Sequence, residues 1–228
     1  MMTVLFLAIV QTNAFAISKI ETLKQAAERG KAADELNLAL AYDFGQGAKP
    51  NILEAAKWYA KAAAQGLPMA QNALGSLYES GDGVPKDYKK AVDLYQKAAD
   101  QGDASALANL GYMYDLGLGV EEDNNKAVEL YKKAANQGNL QAMLNLGVMY
   151  MQGDGVKSDY IEGFKWLDLV RFYTTVSKDM KLKWRARDAL GQVKVKMTKE
   201  QIKEGRTRVK EWSKNHQVYN LGVSRYAN

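Results

Sequence analysis

Leu74-Gly75-Ser76-Leu77-Tyr78-Glu79-Ser80-Gly81-Asp82-Gly83-Val84 is the stretch that decides the fold. Its apolar residues are spaced for one face of a helix. Gly81 and Gly83 then break that helix, since glycine enters the left-handed region that a helix end needs. The stretch returns at an offset of 36 residues, which brings Leu38, Leu74, Leu110 and Leu146 into register. Tyr42, Tyr78, Tyr114 and Tyr150 align too, as do Gly45, Gly81, Gly117 and Gly153 and then Gly47, Gly83, Gly119 and Gly155. Beyond the break come Ala55, Ala91 and Ala127, then Tyr59, Tyr95 and Tyr131, then the pairs Gln65-Gly66, Gln101-Gly102 and Gln137-Gly138. Such self-similarity is the mark of a repeat array, in which each unit buries its apolar face against the next.

Each unit reads as a helical hairpin. In the second, Ala70, Ala73, Leu74, Leu77 and Tyr78 share a face of the first helix. Gly75, with Gly111 and Gly147 in register, leaves room for another helix to approach. Asp87 is placed to cap the second helix, as are Asn51, Asp123 and Asp159. Ala91, Leu94, Tyr95, Ala98 and Ala99 form that helix's inner stripe, and Gly102 ends it. Tyr42, Tyr78, Tyr114 and Tyr150 are read as core residues.

The ends of the array differ from its middle. A lone second-type helix occupies a cap over residues 17–33, and four repeats run over 34–177. The fourth repeat drifts: Gly163 stands in the alanine slot and Leu167 in the tyrosine slot. Its second helix is so apolar (Phe164, Trp166, Leu169, Val170) that something must cover it. Two capping helices near 179–195 and 199–214, within a segment 178–216, are the predicted cover. Thr198 with Gln201 suggests a capping box, with Ile202, Val209, Trp212 and also Trp184 on inward faces. Residues 217–228 lack periodicity and are expected to be a flexible tail.

The N-terminus has another pattern. Val4 to Val10 is an unbroken apolar run, followed by Gln11-Thr12-Asn13 and then Ala14-Phe15-Ala16. An apolar run ahead of an A-x-A site predicts a signal peptide over 1–16, cut after Ala16. Seven apolar residues cannot span a bilayer. No Lys or Arg precedes the run, which departs from the usual positive start of a signal peptide. The expected product is periplasmic or secreted, with no transmembrane segment after cleavage.

Composition narrows the chemistry. The 228 residues include no cysteine and one histidine, His216. Thiol nucleophiles, disulfides, thiolate metal sites and cysteine-borne lipid anchors are therefore excluded. A triad or imidazole metal site would have to use His216, and no G-x-S-x-G accompanies it. Asp43, Glu79 and Asp115 recur once per repeat, and hairpins about 10 Å apart hold carboxylates too far apart for glycosidase chemistry. No catalytic residue, metal or cofactor is expected. The net charge of +5 hides a split, with 16 Lys/Arg against 21 Asp/Glu over residues 1–170, and 15 against 5 over 171–228. A basic segment of that kind suits an anionic surface, reached through residues 171–214. Nucleic acid is disfavoured because Trp184 and Trp212 are assigned to core faces and leave no stacking platform.

The Leu-Gly-x-x-Tyr element resembles the tetratricopeptide pattern, but those repeats run about 34 residues. The longer Gly-x-Gly-Val turn of Leu74–Val84, continued by Lys90-Ala91 and by Tyr95 through Gly102, resembles the Sel1-like repeat family. Met197-Thr198-Lys199-Glu200-Gln201-Ile202 looks like the tail that often follows such arrays. The resemblance covers about residues 20–173. It implies an all-α, right-handed α/α superhelical solenoid of helix-turn-helix repeats, with first helices on the concave side. It also implies a non-enzymatic scaffold or adaptor that binds a protein or peptide, with exported bacterial members serving in the envelope. Cysteine-bridged relatives linked to β-lactam hydrolysis make an envelope hydrolase or β-lactam-binding protein the alternative, and this cysteine-free chain departs from that branch. An electrostatic binder of an anionic envelope polymer or membrane is the third reading.

Repeat arrays bind partners along the concave groove. The candidate groove residues lie in three columns of the first helices. Asn37, Asn109 and Asn145 can offer a donor and an acceptor to a peptide backbone. Ser76 and Tyr112 form a second column, with Tyr112 the rigid aromatic anchor. Asp43, Glu79 and Asp115 form the third.

Overall fold

A computed structural model describes residues 19–47, 49–174 and 179–216. The predicted signal peptide, 1–16, and the predicted tail, 217–228, lie outside the described residues. All regular structure among the described residues is helical. The chain divides into two compact units, at Asp103 and Ala104.

The first unit opens with a helix over 19–27 (α1). Two hairpins follow, α2 (Ala32–Phe44) with α3 (Ile52–Ala64) and α4 (Pro68–Ser80) with α5 (Tyr88–Asp100). Ile20 and Ala27 of α1 bury themselves with Leu38 and Ala41 of α2, so the lone helix covers the open face of the first hairpin. Leu36, Ala39, Tyr59, Leu74 and Leu77 form the main core. Alanines on α3 let α4 come close, and Gln101 ties the stack from outside: its amide donates to the Gly66 carbonyl at 3.0 Å and to Gln71 at 3.0 Å.

The second unit continues the rhythm with α6 (Ala104–Leu116), α7 (Asn124–Asn136), α8 (Leu140–Gln152) and α9 (Tyr160–Tyr173). The first helices start at 32, 68, 104 and 140, so the 36-residue period of the sequence is the period of the structure. Two further helices, α10 (Met180–Val195) and α11 (Lys199–Asn215), both pack on α9. They supply the cover that α9 requires, and Phe164, Trp166, Leu167, Leu169 and Val170 are buried. Gly205 of α11 sits against Phe164, where a Cβ would approach the ring to 2.5 Å. Trp212 meets Trp166 edge-on with centroids 5.8 Å apart, and His216 stacks on Trp212 at 4.3 Å. Arg208 clamps α11 to α9 through Glu162 at 2.6 Å.

The local signals behave as chemistry dictates. Asn51, Asp87, Asp123 and Asp159 each accept a backbone N–H of their helix's first turn. Thr198 and Gln201 form the reciprocal capping box. Gly81 ends α4 at φ 86°, the left-handed conformation that glycine adopts without strain.

One expectation is sharpened and one corrected. Tyr42, Tyr78, Tyr114 and Tyr150 are half-buried, and Tyr42 and Tyr78 pack against the first unit's core from its edge. They lie at the hairpin rim, where Lys90 covers Tyr78, and Lys126 both covers Tyr114 and donates to its hydroxyl at 2.7 Å. Among the described residues the fully buried tyrosines are Tyr59, Tyr95 and Tyr131. Trp184 does not face inward. It is 56% exposed, because Leu182, Ala186, Ala189, Leu190 and Val193 already make the buried stripe of α10.

Candidate protein-binding face

The predicted columns lie on α2 and α4 in the first unit and on α6 and α8 in the second. What each can offer depends on what its own hairpin already uses. The slot at Gly75 and Gly111 explains the arrangement. A Cβ at Gly75 would sit 2.7 Å from the Tyr95 ring, and one at Gly111 would sit 2.9 Å from Tyr131. The missing side chain thus lets a tyrosine of the second helix slide beneath the first helix. Its hydroxyl emerges beside the acidic column. Tyr59 donates to Asp43 at 2.9 Å, Tyr95 to Glu79 at 2.6 Å and Tyr131 to Asp115 at 3.3 Å.

These three acids therefore clasp one helix of each hairpin to the other. Burial, reinforced by the carboxylate beside each hydroxyl, raises all three tyrosines above the ordinary phenol range and keeps them as donors. Ser76 shares the second clasp at 3.1 Å, and it is the donor because Tyr95 spends its only hydrogen on Glu79. Asp115 carries a raised pKa. Burial is the main cause, opposed by the Tyr131 hydrogen bond and reinforced by the charges of Asp154 and Glu122.

The asparagines divide. Asn37 is exposed on α2. Asn109 is half-buried on α6. Asn145 accepts from Gln141 at 2.8 Å and also reaches the Tyr131 hydroxyl, so it belongs to the third clasp. Tyr112 stands 38% exposed, with Leu116 exposed one turn further along α6. In the first unit the equivalent ridge is the half-buried Leu40 and the exposed Phe44. Phe44 and Leu116 escaped the sequence reading because each closes its helix at a position that the polar Ser80 and Gln152 take in the other repeats.

The acid–tyrosine clasp was also missed, although a signal for it exists. The fourth repeat loses both partners together, with Met151 in the acid's place and Leu167 in the tyrosine's. Paired loss is what a shared hydrogen bond predicts, since an orphaned partner costs more than two apolar ones.

Among the described residues no group of three or more His, Asp or Glu side chains is gathered for a metal ion. No described helix is long and apolar enough to cross a membrane.

Comparison with known proteins agrees with this architecture. The family model described as Sel1 repeat matches residues 32–67, 68–103, 104–139 and 140–169. A solved Sel1 repeat protein from Oxalobacter formigenes is 32% identical with a TM-score of 0.69, over 83% of this chain and 75% of that one. The protective antigen c5321 of uropathogenic Escherichia coli strains, which displays an SLR fold, is 23% identical with a TM-score of 0.57, over 92% of this chain and 53% of that one. A Sel1 repeat protein of Klebsiella pneumoniae is 20% identical with a TM-score of 0.54, over 85% and 99%. The last two show the fold alone. No curated protein matches the sequence. Four matched repeats and helices that recur with the same 36-residue spacing lead to one conclusion: the chain belongs to the Sel1 repeat family, with an all-α helical repeat fold.

Proposed function

We propose that this chain is a non-enzymatic scaffold that holds a protein or peptide against the first-helix faces of its repeats. The family generally serves as a non-catalytic scaffold for protein contacts, which supports the class of function. The observation that carries the site is Tyr112. It is a rigid aromatic 38% exposed beside Asn109 and Leu116, on a helix whose inner face is buried. An aromatic with a polar tip gives large contact area for few lost rotamers, the usual character of a binding anchor.

The acidic column enters this reading in a changed role. Asp43, Glu79 and Asp115 set the shape of each unit's face through their tyrosines. In the second unit Tyr112 and Asn109 make the contacts, and in the first unit Asn37 is the exposed polar group of its own face. The A-x-A site at Ala14–Ala16 supports export to the periplasm or medium, where the partner would be met.

Affinity capture with Tyr112→Ala and Asn109→Ala tests the reading. Partner binding should weaken at least about thirtyfold for Tyr112→Ala, the loss expected of an anchor, with melting temperature unchanged. Capture of the same partners at equal affinity would contradict it, and turnover of a β-lactam by the purified chain would point to the hydrolase alternative instead.

A further inference from the structure

The correction at Trp184 opens a second surface, independent of the first-helix faces. Three large apolar side chains of α10 are exposed, Met180 at 53%, Trp184 at 56% and Val195 at 87%. On a helix turning 100° per residue, Met180, Trp184, Gly191 and Val195 fall within about 60° of one another. They make one stripe along 16 residues, roughly 24 Å. Gly191 lies open within it, since a Cβ there would meet nothing within 4 Å. The opposite stripe, Leu182, Ala186, Ala189, Leu190 and Val193, is buried. α10 is therefore apolar on two faces, and α8 and α9 account for only one of them.

The outer stripe has a basic border. The helix carries Lys181, Lys183, Arg185, Arg187 and Lys194 against a single acid, Asp188. Asp188 accepts from Gln192 at 2.8 Å, and Arg187 rests over the Trp184 ring at 5.3 Å. By helical angle Lys183 and Arg187 line one edge of the stripe and Lys181 the other. Lys194 lies over the Phe164 ring of α9 at 5.7 Å. The side chains at the edges can lay their aliphatic stems along an apolar surface and lift their charges toward anionic groups.

The geometry points to α10 as an interfacial helix that docks this chain on an anionic lipid surface. The stripe is a convex ridge on one helix. A folded acidic protein would need a groove cut to match widely spaced Met, Trp and Val side chains. Fluid lipid takes a ridge without matching register, with the apolar residues at acyl-chain depth and the cations among the headgroup phosphates. Trp184 suits that boundary because its ring is apolar and its N–H is polar.

Flotation of the full chain with vesicles, read together with tryptophan emission, tests this. Trp166 and Trp212 are buried and Trp58 is half-buried, so an emission change on binding reports chiefly on Trp184. The chain should float with phosphatidylglycerol-containing vesicles at low salt, shift its emission to the blue, and stay unbound with pure phosphatidylcholine. Trp184→Ala should abolish the blue shift. Lys183→Gln and Arg187→Gln should each weaken binding roughly fivefold. Three results would overturn the inference: no flotation of the unaltered chain, flotation without a blue shift, or release from vesicles by equimolar soluble polyglutamate. The last would identify an acidic polymer as the occupant. All three substituted side chains are outside the buried core, so the melting temperatures of the variants should match the unaltered chain. Failure here leaves the Tyr112 reading standing, because that test involves neither lipid nor α10.

Discussion

The third and fourth hairpins lie side by side in one compact unit and solve the same problem differently. In the third, Gly111 admits the Tyr131 ring, and Asp115 catches its hydroxyl. In the fourth, Gly147 lies over Leu167, and the helices close further through Gly163, where a Cβ would come within 3.0 Å of the Gly147 carbonyl oxygen. Met151 and Leu167 leave no polar pair to satisfy. The third hairpin is thus held by a clasp at its open face. The fourth is held by backbone approach and by α10 and α11 packing on α9. The contrast explains the recurrence of acids along the first helices: an acid appears where a tyrosine needs an acceptor and is absent where leucine replaces the tyrosine.

Substitutions can break that contrast. Tyr131→Ala should cost about 4 kcal/mol, because it empties a fully buried aromatic site. Tyr131→Phe keeps the ring and loses the clasp, so the expected cost is about 1–2 kcal/mol. Chemical denaturation would give both values. Giving the third hairpin the fourth's pair, Asp115→Met with Tyr131→Leu, should cost about 1 kcal/mol less than its two single changes added together. Strict additivity would mean that the clasp contributes no coupling.

Acid titration sharpens the contrast with a smaller effect. Asp115 has a raised folded pKa, so its contribution is fully present below the unfolded value of 3.8 and is lost as pH rises through the folded value. Asp87 behaves oppositely. The backbone N–H of Lys90 is the main cause of its lowered pKa, so its stabilisation is present above 3.8 and is lost as pH falls through the folded value. Relative to the unaltered chain, Asp115→Asn should look best at neutral pH, and Asp87→Asn should look best in acid. Denaturation curves at a series of pH values would reveal the opposite slopes, and parallel slopes would contradict the assignment.

Most of the fold was legible because its signals are local or periodic. A capping aspartate, a helix-ending glycine and a 36-residue offset are all written in one line of sequence. Tyr95 and Glu79 lie 16 residues apart on different helices, and only the closed hairpin shows that they meet. Trp184 was misplaced because α10 carries apolar residues on two faces, and periodicity cannot choose between them. Half of the candidate face was legible for the same kind of reason. The helical period finds Asn37 and Tyr112, but it cannot show that Ser76, Glu79 and Asp115 are already engaged within their own hairpins, or that Asn145 of α8 reaches back to Tyr131 of α7.

The central claim is that the first-helix face around Tyr112 receives a protein partner. A photo-crosslinking residue placed at Tyr112 tests it most directly, with the same residue at the exposed Lys133 of α7 as the control. A discrete protein adduct is expected from position 112 in the cells that make the chain, and none from position 133. Adducts of equal yield from both positions, or from 133 alone, would contradict it.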